Sequence, residues 1–553
     1  PAVDTSDNNY PAPGKLQQGT FELTRFSSAD GKVEFPDAQG AFRLRLRKSG
    51  FRDLLVGPQD LRDGLKLTMI AETDAAALAE QKPSNAWTST LSMAIPDANQ
   101  RKQFMMQCGF CHQQGSATLR RGLSAAEWEA AIARMVRYGS RLSSELQKKL
   151  PAVLEAHWEK IRARPELVPD ATQPEAYLAG ASIAELPIGD GFSQMHDLLA
   201  HSNGKVYVGD NLQDRIYEVD PNTGAYTVYR IPPAPGDTLG GLLAGRLRDF
   251  PKHETYQGIH SLVESRKDGH IFITASYQRR LVEFDPETKS FKLHEMTTGF
   301  YPHTVRIDAK DRVWFTLALS NQVAMYDRTR GQFTYYDLPF RSITERLTVK
   351  LTPFFFTLIG WGVPVTNWVK VDDVSTGVPL PYGIDITPDG KAWIARLHTD
   401  EIASIDPDTG TVTMIPTPLH SPRRLRADAD GNLWIAMYSE SAILRYDPAR
   451  RAFTTFDMPV VPKGSDTPYS LNVDRKNRRV WVTGTNSDSV QYLDIASGQW
   501  RFYPLPRRAT FTRDIEFGAD GRVFLSSASF PSWHIEDGQP TLIQLDPNGR
   551  IGR

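Results

Sequence analysis

Cysteine is nearly absent, with two in 553 residues. That excludes a disulfide framework and makes the position of the pair decisive. Charge of one sign is missing as well: 64 Lys and Arg stand against 65 Asp and Glu, so no overall field favours nucleic acid or anionic lipid. No apolar run is long enough to span a bilayer. The stretch Leu351 to Val365 falls short of the roughly 20 apolar residues required and is broken by two prolines and two glycines. The N-terminus shows no apolar segment of signal-peptide type, which implies that such a peptide has been removed or that the numbering starts at a mature end. What the chain has in quantity is glycine (40), proline (38) and aromatics (10%). With turn signals throughout, this predicts many short strands, and the length calls for more than one domain.

The two cysteines lie in Gln107-Cys108-Gly109-Phe110-Cys111-His112, the C-x-x-C-H attachment sequence of c-type haem. Two thiols one helical turn apart reach the two vinyl groups of one haem, and the next residue offers its imidazole to the iron. A redox dithiol gives the following His no role, and a zinc site would need two further ligands at matching spacing. Helices are expected over Asp97 to Gln107, after the cap at Ser124, and over Ser143 to Arg162. This stretch, with Trp128, Met135 and Gly139, resembles class I cytochrome c domains over about 70 residues. The resemblance implies one covalent haem c on Cys108 and Cys111, with His112 as proximal ligand. Met135 is the first choice for the sixth ligand and His157 the second, and an open iron is the remaining alternative. Haem c is attached outside the cytoplasm in bacteria, so a periplasmic location is expected.

From about residue 190 one phrase recurs seven times: a strand, a turn, a second strand and an Asp-Pro hairpin. Val206-Tyr207-Val208 with Asp220-Pro221-Asn222-Thr223-Gly224, and Ala392-Trp393-Ile394 with Asp406-Pro407-Asp408-Thr409-Gly410, are two instances. The period suits four-stranded propeller blades. Ser182 to Pro187 looks like a closing strand placed ahead of the first blade and is expected to complete the last one. These repeats resemble the virginiamycin B lyase (streptogramin lyase) family of seven-bladed propellers over about 360 residues. Two inserts, Pro232 to Glu254 and Arg341 to Pro379, are expected to interrupt the first and third blades. The apolar part of the second is expected to form a lid or contact surface against the cytochrome or a second copy. A loop folded onto its own propeller is the alternative, and a membrane surface is disfavoured because the flanks show no basic cluster.

The fold class expected is therefore multidomain: a small β-sandwich-like domain over 1–92, an α-helical cytochrome c domain over 93–178, and a seven-bladed β-propeller over 179–553. The first rests on alternation in Thr20 to Phe26 and Ala41 to Arg47 and on the phrase starting Asp37-Ala38-Gln39-Gly40, which resembles carboxypeptidase-regulatory-like modules.

Alignment of the blades places His196, His260, His303, Tyr382, Arg423, Tyr469 and Arg513 at the start of the innermost strands, aimed at one channel mouth. A polar, water-filled channel accounts for them blandly. The sharper reading is a site whose three imidazoles suit a second metal (copper, zinc, iron or magnesium), faced by Arg423 and Arg513 for an anionic or carbonyl-bearing substrate. Asp197, Asp210, Arg424 and Asp514 are expected to fix tautomer and charge. In the lyase family a channel His acts with acidic residues and magnesium to open a cyclic ester. His196 with Asp210 is the nearest match here, and the glutamates such a site uses are missing.

Three functions compete. The first is an oxidoreductase in which the channel oxidises a small molecule and the cytochrome passes electrons to an external acceptor such as a soluble cytochrome or cupredoxin. The second is a lyase or hydrolase with an accessory cytochrome. The third is a non-catalytic electron-transfer or binding protein. No nucleic-acid partner and no membrane span are expected, and a homodimer is one way to cover the apolar insert.

Overall fold

The computed structural model describes residues 14–36, 41–248, 250–363, 365–368 and 378–551. The N-terminal phrase at Asp37 to Gly40, part of the second insert and Pro364 lie outside them.

Seven antiparallel sheets of at least four strands make the propeller. The repeat explains each blade locally. Asp308 accepts from the backbone N–H of Lys310 and Arg312 (both 2.9 Å) and from Trp314 Nε1 (2.9 Å). Asp428 does the same for Asp430, Asn432 and Trp434. One carboxylate thus closes the turn and anchors the buried Trp that separates neighbouring blades. In the outer hairpin Asp406 accepts from Asp408 N and Thr409 N, and Gly410 takes the left-handed conformation (φ 70°) that ends the turn.

Ser182–Pro187 pairs with Thr541–Asp546, so blade 7 combines three strands from the C-terminal end with one that precedes blade 1. The ring has no open seam there. No helix among the described residues is long and apolar enough to cross a membrane.

Two expectations need correction. No sandwich appears among the described residues of 14–92. Leu16–Gln17 adds to the outer edge of blade 1 and Glu22–Arg25 to that of blade 7, while Leu44–Leu46 and Leu54–Val56 form a two-stranded ribbon. Strands of two to four residues cannot fill the space between two sheets, but they can cap edges that already exist. The inserts, in turn, do not break blades: each follows a completed fourth strand, Tyr226–Arg230 or Gln332–Asp337, and joins one blade to the next.

The helical unit comprises α1 (Ala75–Glu80), α2 (Ser84–Ser89), α3 (Ala98–Cys108), α4 (Ala117–Arg120), α5 (Ala125–Arg137) and α6 (Ser144–Ala163). Asp97 caps α3 by accepting from Gln100 N, and Ser124 with Glu127 forms a capping box on α5. One core runs from Ala79 through Trp87, Phe104, Trp128 and Leu150 to Val168. Helices α1 and α2 therefore belong to this unit although they precede residue 93. The inserts add α7 (Ala244–Leu247), α8 (Ile343–Lys350) and α9 (Thr352–Gly360). Helices α7 and α9 cross where a Cβ on Gly245 would lie 2.6 Å from the Gly360 Cα.

Candidate functional site

The seven inner strands converge as expected, with a refinement. In each, a bulge sets two residues opposite one: His196 and Asp197 share Gly209, because Met195 pairs with Asp210 and Leu198 with Val208. The second members Asp197, Arg424, Ser470 and Asp514 meet one another inside the ring, beneath the first members. The channel thus has two stacked layers where simple alternation gives one. The N–H freed by the bulge is taken up by a hydroxyl on the neighbouring strand: Ser261 N donates to Thr274 Oγ1 (3.0 Å) and Thr304 N to Thr316 Oγ1 (3.3 Å). These hydroxyls then donate onward, Thr274 to the His303 carbonyl (2.5 Å) and Thr316 to the Tyr382 carbonyl (2.9 Å). Blade is tied to blade at the ring itself.

In the upper layer the imidazole centroids of His196 and His260 are 3.7 Å apart, those of His260 and His303 3.6 Å, and the His303 and Tyr382 rings 3.8 Å. The Tyr382 and Tyr469 hydroxyls are 3.2 Å apart, Arg423 Nη2 donates to Tyr382 Oη (2.6 Å) and Arg513 Nη1 to Tyr469 Oη (3.0 Å). Burial pushes His196 down to about 4 and His260 and His303 well below their ordinary value, so all three imidazoles are neutral at neutral pH. Burial raises the Tyr469 hydroxyl, but Arg423 and Arg513 outweigh it and leave its pKa lowered.

The lower layer closes the channel. Arg424 donates to Asp197 and to Asp514 Oδ1 (3.1 Å), and Asp197 Oδ1 also lies 2.9 Å from His196 Nδ1. Burial pushes Asp197 up, yet Arg424 and His196 hold it well below the carboxylate range. Asp514 is pushed up to about 7 by burial and by Asp197. Asp210 is not the partner of His196. Its carboxylate accepts from the backbone of Gln194 and Leu212, and burial raises it to about 7. His196, Asp197 and His260 offer ligand atoms within 4.8 Å of one another, the one such group of three among the described residues.

The helical unit covers the channel mouth. Tyr438 Oη donates to the Gly109 carbonyl, Gln113 Nε2 to Asp488 Oδ1 (2.7 Å), and Phe530 N to the Cys111 carbonyl (2.9 Å). The His112 imidazole stacks on His534, with centroids 4.3 Å apart and planes 6° apart. Between the two units lies a cavity of about 880 Å³. Its lining includes Cys108, Cys111, His112 and Met135 at the helical side and His196, His260, His303, Tyr382, Tyr469 and Arg513 at the propeller side. Phe355, Phe356 and Ile359 of α9 wall it, so the apolar insert is folded back over its own molecule, with Phe354 and Trp361 left in solvent. His157 is elsewhere: it is buried in the helical core with Nε2 3.0 Å from Thr90 Oγ1. Arg423 is absent from the lining, since its guanidinium lies among the rings of Phe110, Tyr382, Tyr438 and Tyr469, 3.5 to 4.6 Å from their centroids.

Sequence reasoning missed His534, Arg246 and Tyr301, which also line the cavity. They come from connecting segments that no repeat position marks.

The fit of a haem rests on the donor set. Both thiols are free, and burial pushes Cys108 up to about 12, the opposite of the activated thiolate a redox dithiol needs. No zinc-type cluster includes either cysteine among the described residues. Two thiols, an imidazole and a thioether on the wall of one cofactor-sized, largely apolar cavity fit a covalently bound haem.

Residues 368–530 match the virginiamycin B lyase family. Among solved structures, a streptogramin B lyase is similar, with 16% identity, 68% of this chain and 99% of that chain covered, and a TM-score of 0.50. Virginiamycin B lyase from Staphylococcus aureus is also similar, with 16% identity, 66% and 99% covered, and a TM-score of 0.48. No curated protein sequence matches the chain. The family match falls within the propeller, and the likeness is one of fold: this chain carries a propeller similar to that of the virginiamycin B lyases.

Proposed function

We propose that the protein is an exported, haem c-carrying oxidoreductase acting on a small molecule held at the propeller mouth. Cys108 and Cys111 would hold the haem by thioether bonds, with His112 and Met135 as the candidate iron ligands. Bound there, a haem would supply one-electron chemistry for a substrate held at the ring of polar side chains. The observation that carries this reading is the single cavity: the thiols and the His196–His260–His303 face line the same space. The chain's own groups have clear tasks. The neutral imidazoles offer acceptors and donors without charge, and Asp197 fixes the orientation of His196. The paired hydroxyls of Tyr382 and Tyr469 stand ready to give or take a proton beside a substrate. Helix α9 and the helical unit keep water out, and the Arg424 layer shuts the far end of the channel. Electrons would leave to an external acceptor such as a soluble cytochrome or cupredoxin.

The test is production with a haem c attachment system, followed by extraction in acidified organic solvent. Haem remaining on the protein, and lost from Cys108→Ala, supports the reading. Haem in the organic layer refutes it. Substrates are then screened by haem reduction.

A second reading is favoured by the match of residues 368–530 and by the propeller fold: a lyase acting on a cyclic ester, with His196 as its base. Ring opening of a streptogramin B, followed by mass spectrometry and lost in His196→Gln, would establish it. A fully redox-inert protein with that activity would replace the first reading.

A further inference from the structure

The cavity's charge is one-sided. Six arginines line it, Arg121, Arg134, Arg137, Arg141, Arg246 and Arg513, against one acid, Glu127. At the propeller end the imbalance is sharpest. Arg513 is 2% exposed, and no carboxylate among the described residues lies within ion-pair distance of it. Its Nε donates to the Ala528 carbonyl (3.1 Å) and its Nη1 to Tyr469, while Nη2 has no partner. His260, 3% exposed, likewise leaves Nδ1 without a partner. Two buried polar groups with unmet hydrogen-bonding capacity on the wall of one cavity mark a place where a ligand completes the set. The Arg513 guanidinium rests on the Phe511 ring (4.6 Å) and beside Tyr469 (5.4 Å) but meets no carboxylate, so a group of negative charge best completes the site.

We propose that the propeller end of the cavity is a binding site for a small oxyanion, a carboxylate or inorganic oxyanion, held by Arg513 and His260 with Arg246 at its side. The inference rests on the reading of this cavity as a substrate site and names the class of that substrate. It also reassigns Arg423 and the three imidazoles. Arg423, boxed by four rings, holds the tyrosines in place and does not reach the ligand. The three imidazoles face Arg513 and Arg424, a poor setting for a divalent cation, and the nearest carboxylate, Asp197, is already engaged by Arg424 and His196. A haem bound at the helical end would leave Arg513 buried at the other.

The experiment is calorimetric titration of the full-length protein, as purified, with acetate, nitrite, neutral acetamide and Zn²⁺ in turn. Expected are saturable binding of acetate or nitrite, no binding of acetamide, and at least tenfold weaker anion binding in Arg513→Gln with unchanged haem content. Acetamide binding as well as acetate, Zn²⁺ binding that His260→Gln abolishes, or no anion binding by protein that retains its haem would overturn the proposal. If Arg513→Gln does not fold, competition between acetate and acetamide on the unaltered protein decides alone. The haem reading fails separately, by solvent extraction.

Discussion

Arg424 reaches across the channel axis to Asp197, Nη1 to Oδ2 at 3.0 Å and Nη2 to Oδ1 at 2.5 Å, with neither side chain exposed. The pair joins blades 1 and 5, and Asp514 adds blade 7. Replacing Arg424 by Met leaves buried Asp197 without its cation and Asp514 with only Arg426 at 3.7 Å, and the expected loss is about 3–5 kcal/mol in urea unfolding. Adding Asp197→Asn and Asp514→Asn to that variant should restore much of the loss, because the stranded charges are then gone. Equal stability of the single and triple variants would show that the pair contributes nothing beyond packing.

Thr316 serves two blades at once, accepting from Thr304 N and donating to the Tyr382 carbonyl. Valine has the same shape without the hydroxyl. Thr316→Val is expected to cost about 1–3 kcal/mol by orphaning two buried backbone groups. Amide exchange at Thr304 should rise in the variant, and an unchanged exchange rate would rule out the proposed tie.

His157 gives a pH signature. Burial pushes its pKa down to about 4 in the fold, whereas an unfolded histidine titrates near about 6.5. Between those values the unfolded chain takes up a proton that the native one refuses, so stability is lost as pH falls through the window. The stability difference between the natural protein and His157→Gln should shrink from pH 6.5 to pH 4, by no more than about 1.4 kcal/mol per pH unit. A difference that stays constant with pH would mean that the native histidine takes up its proton as readily as the unfolded one.

The crossing of α7 and α9 is set by two glycines. A Cβ on Gly245 would stand 2.6 Å from Gly360 Cα and 2.9 Å from the Phe356 carbonyl. Gly245→Ala must push α9 outward, and about 1–3 kcal/mol of destabilisation is expected. Ligands should also reach the cavity faster, measured as the rate of probe binding. Unaltered stability and access would show that α9 adjusts without strain.

How much of this was readable from the chain depended on repetition. The seven ring positions could be placed because every blade keeps a turn and an aromatic at one spacing, in full as Asp-Gly-x-x-Trp at Asp389 to Trp393 and Asp430 to Trp434, and the closing role of Ser182 to Pro187 followed from its likeness to other blade ends. The bulge left no mark in residue type, so Asp197 and Arg424 were expected as helpers and not as a second layer, and Asp210 was assigned to a histidine it does not touch. Arg423 shows the same limit from the other side: its position on the strand was legible, but the aromatic box around it, which includes Phe110 from the helical unit, depends on contacts between distant segments. His534 sits in a short connection and Arg246 on the insert helix α7, where no repeat period exists to be read.

The order of segments along the chain has a further consequence for assembly. The cysteine pair lies near residue 110, while the groups that seal its outer side, Phe530 and His534, lie in blade 7. Synthesis delivers the early segment first. On the proposed haem reading, modification of Cys108 and Cys111 would have a time window, open while the chain emerges and shut when the last blade docks with Ser182–Pro187. A permuted chain that began at blade 4 would present blade 7 before the cysteines, and it would have to be modified after its site was already covered.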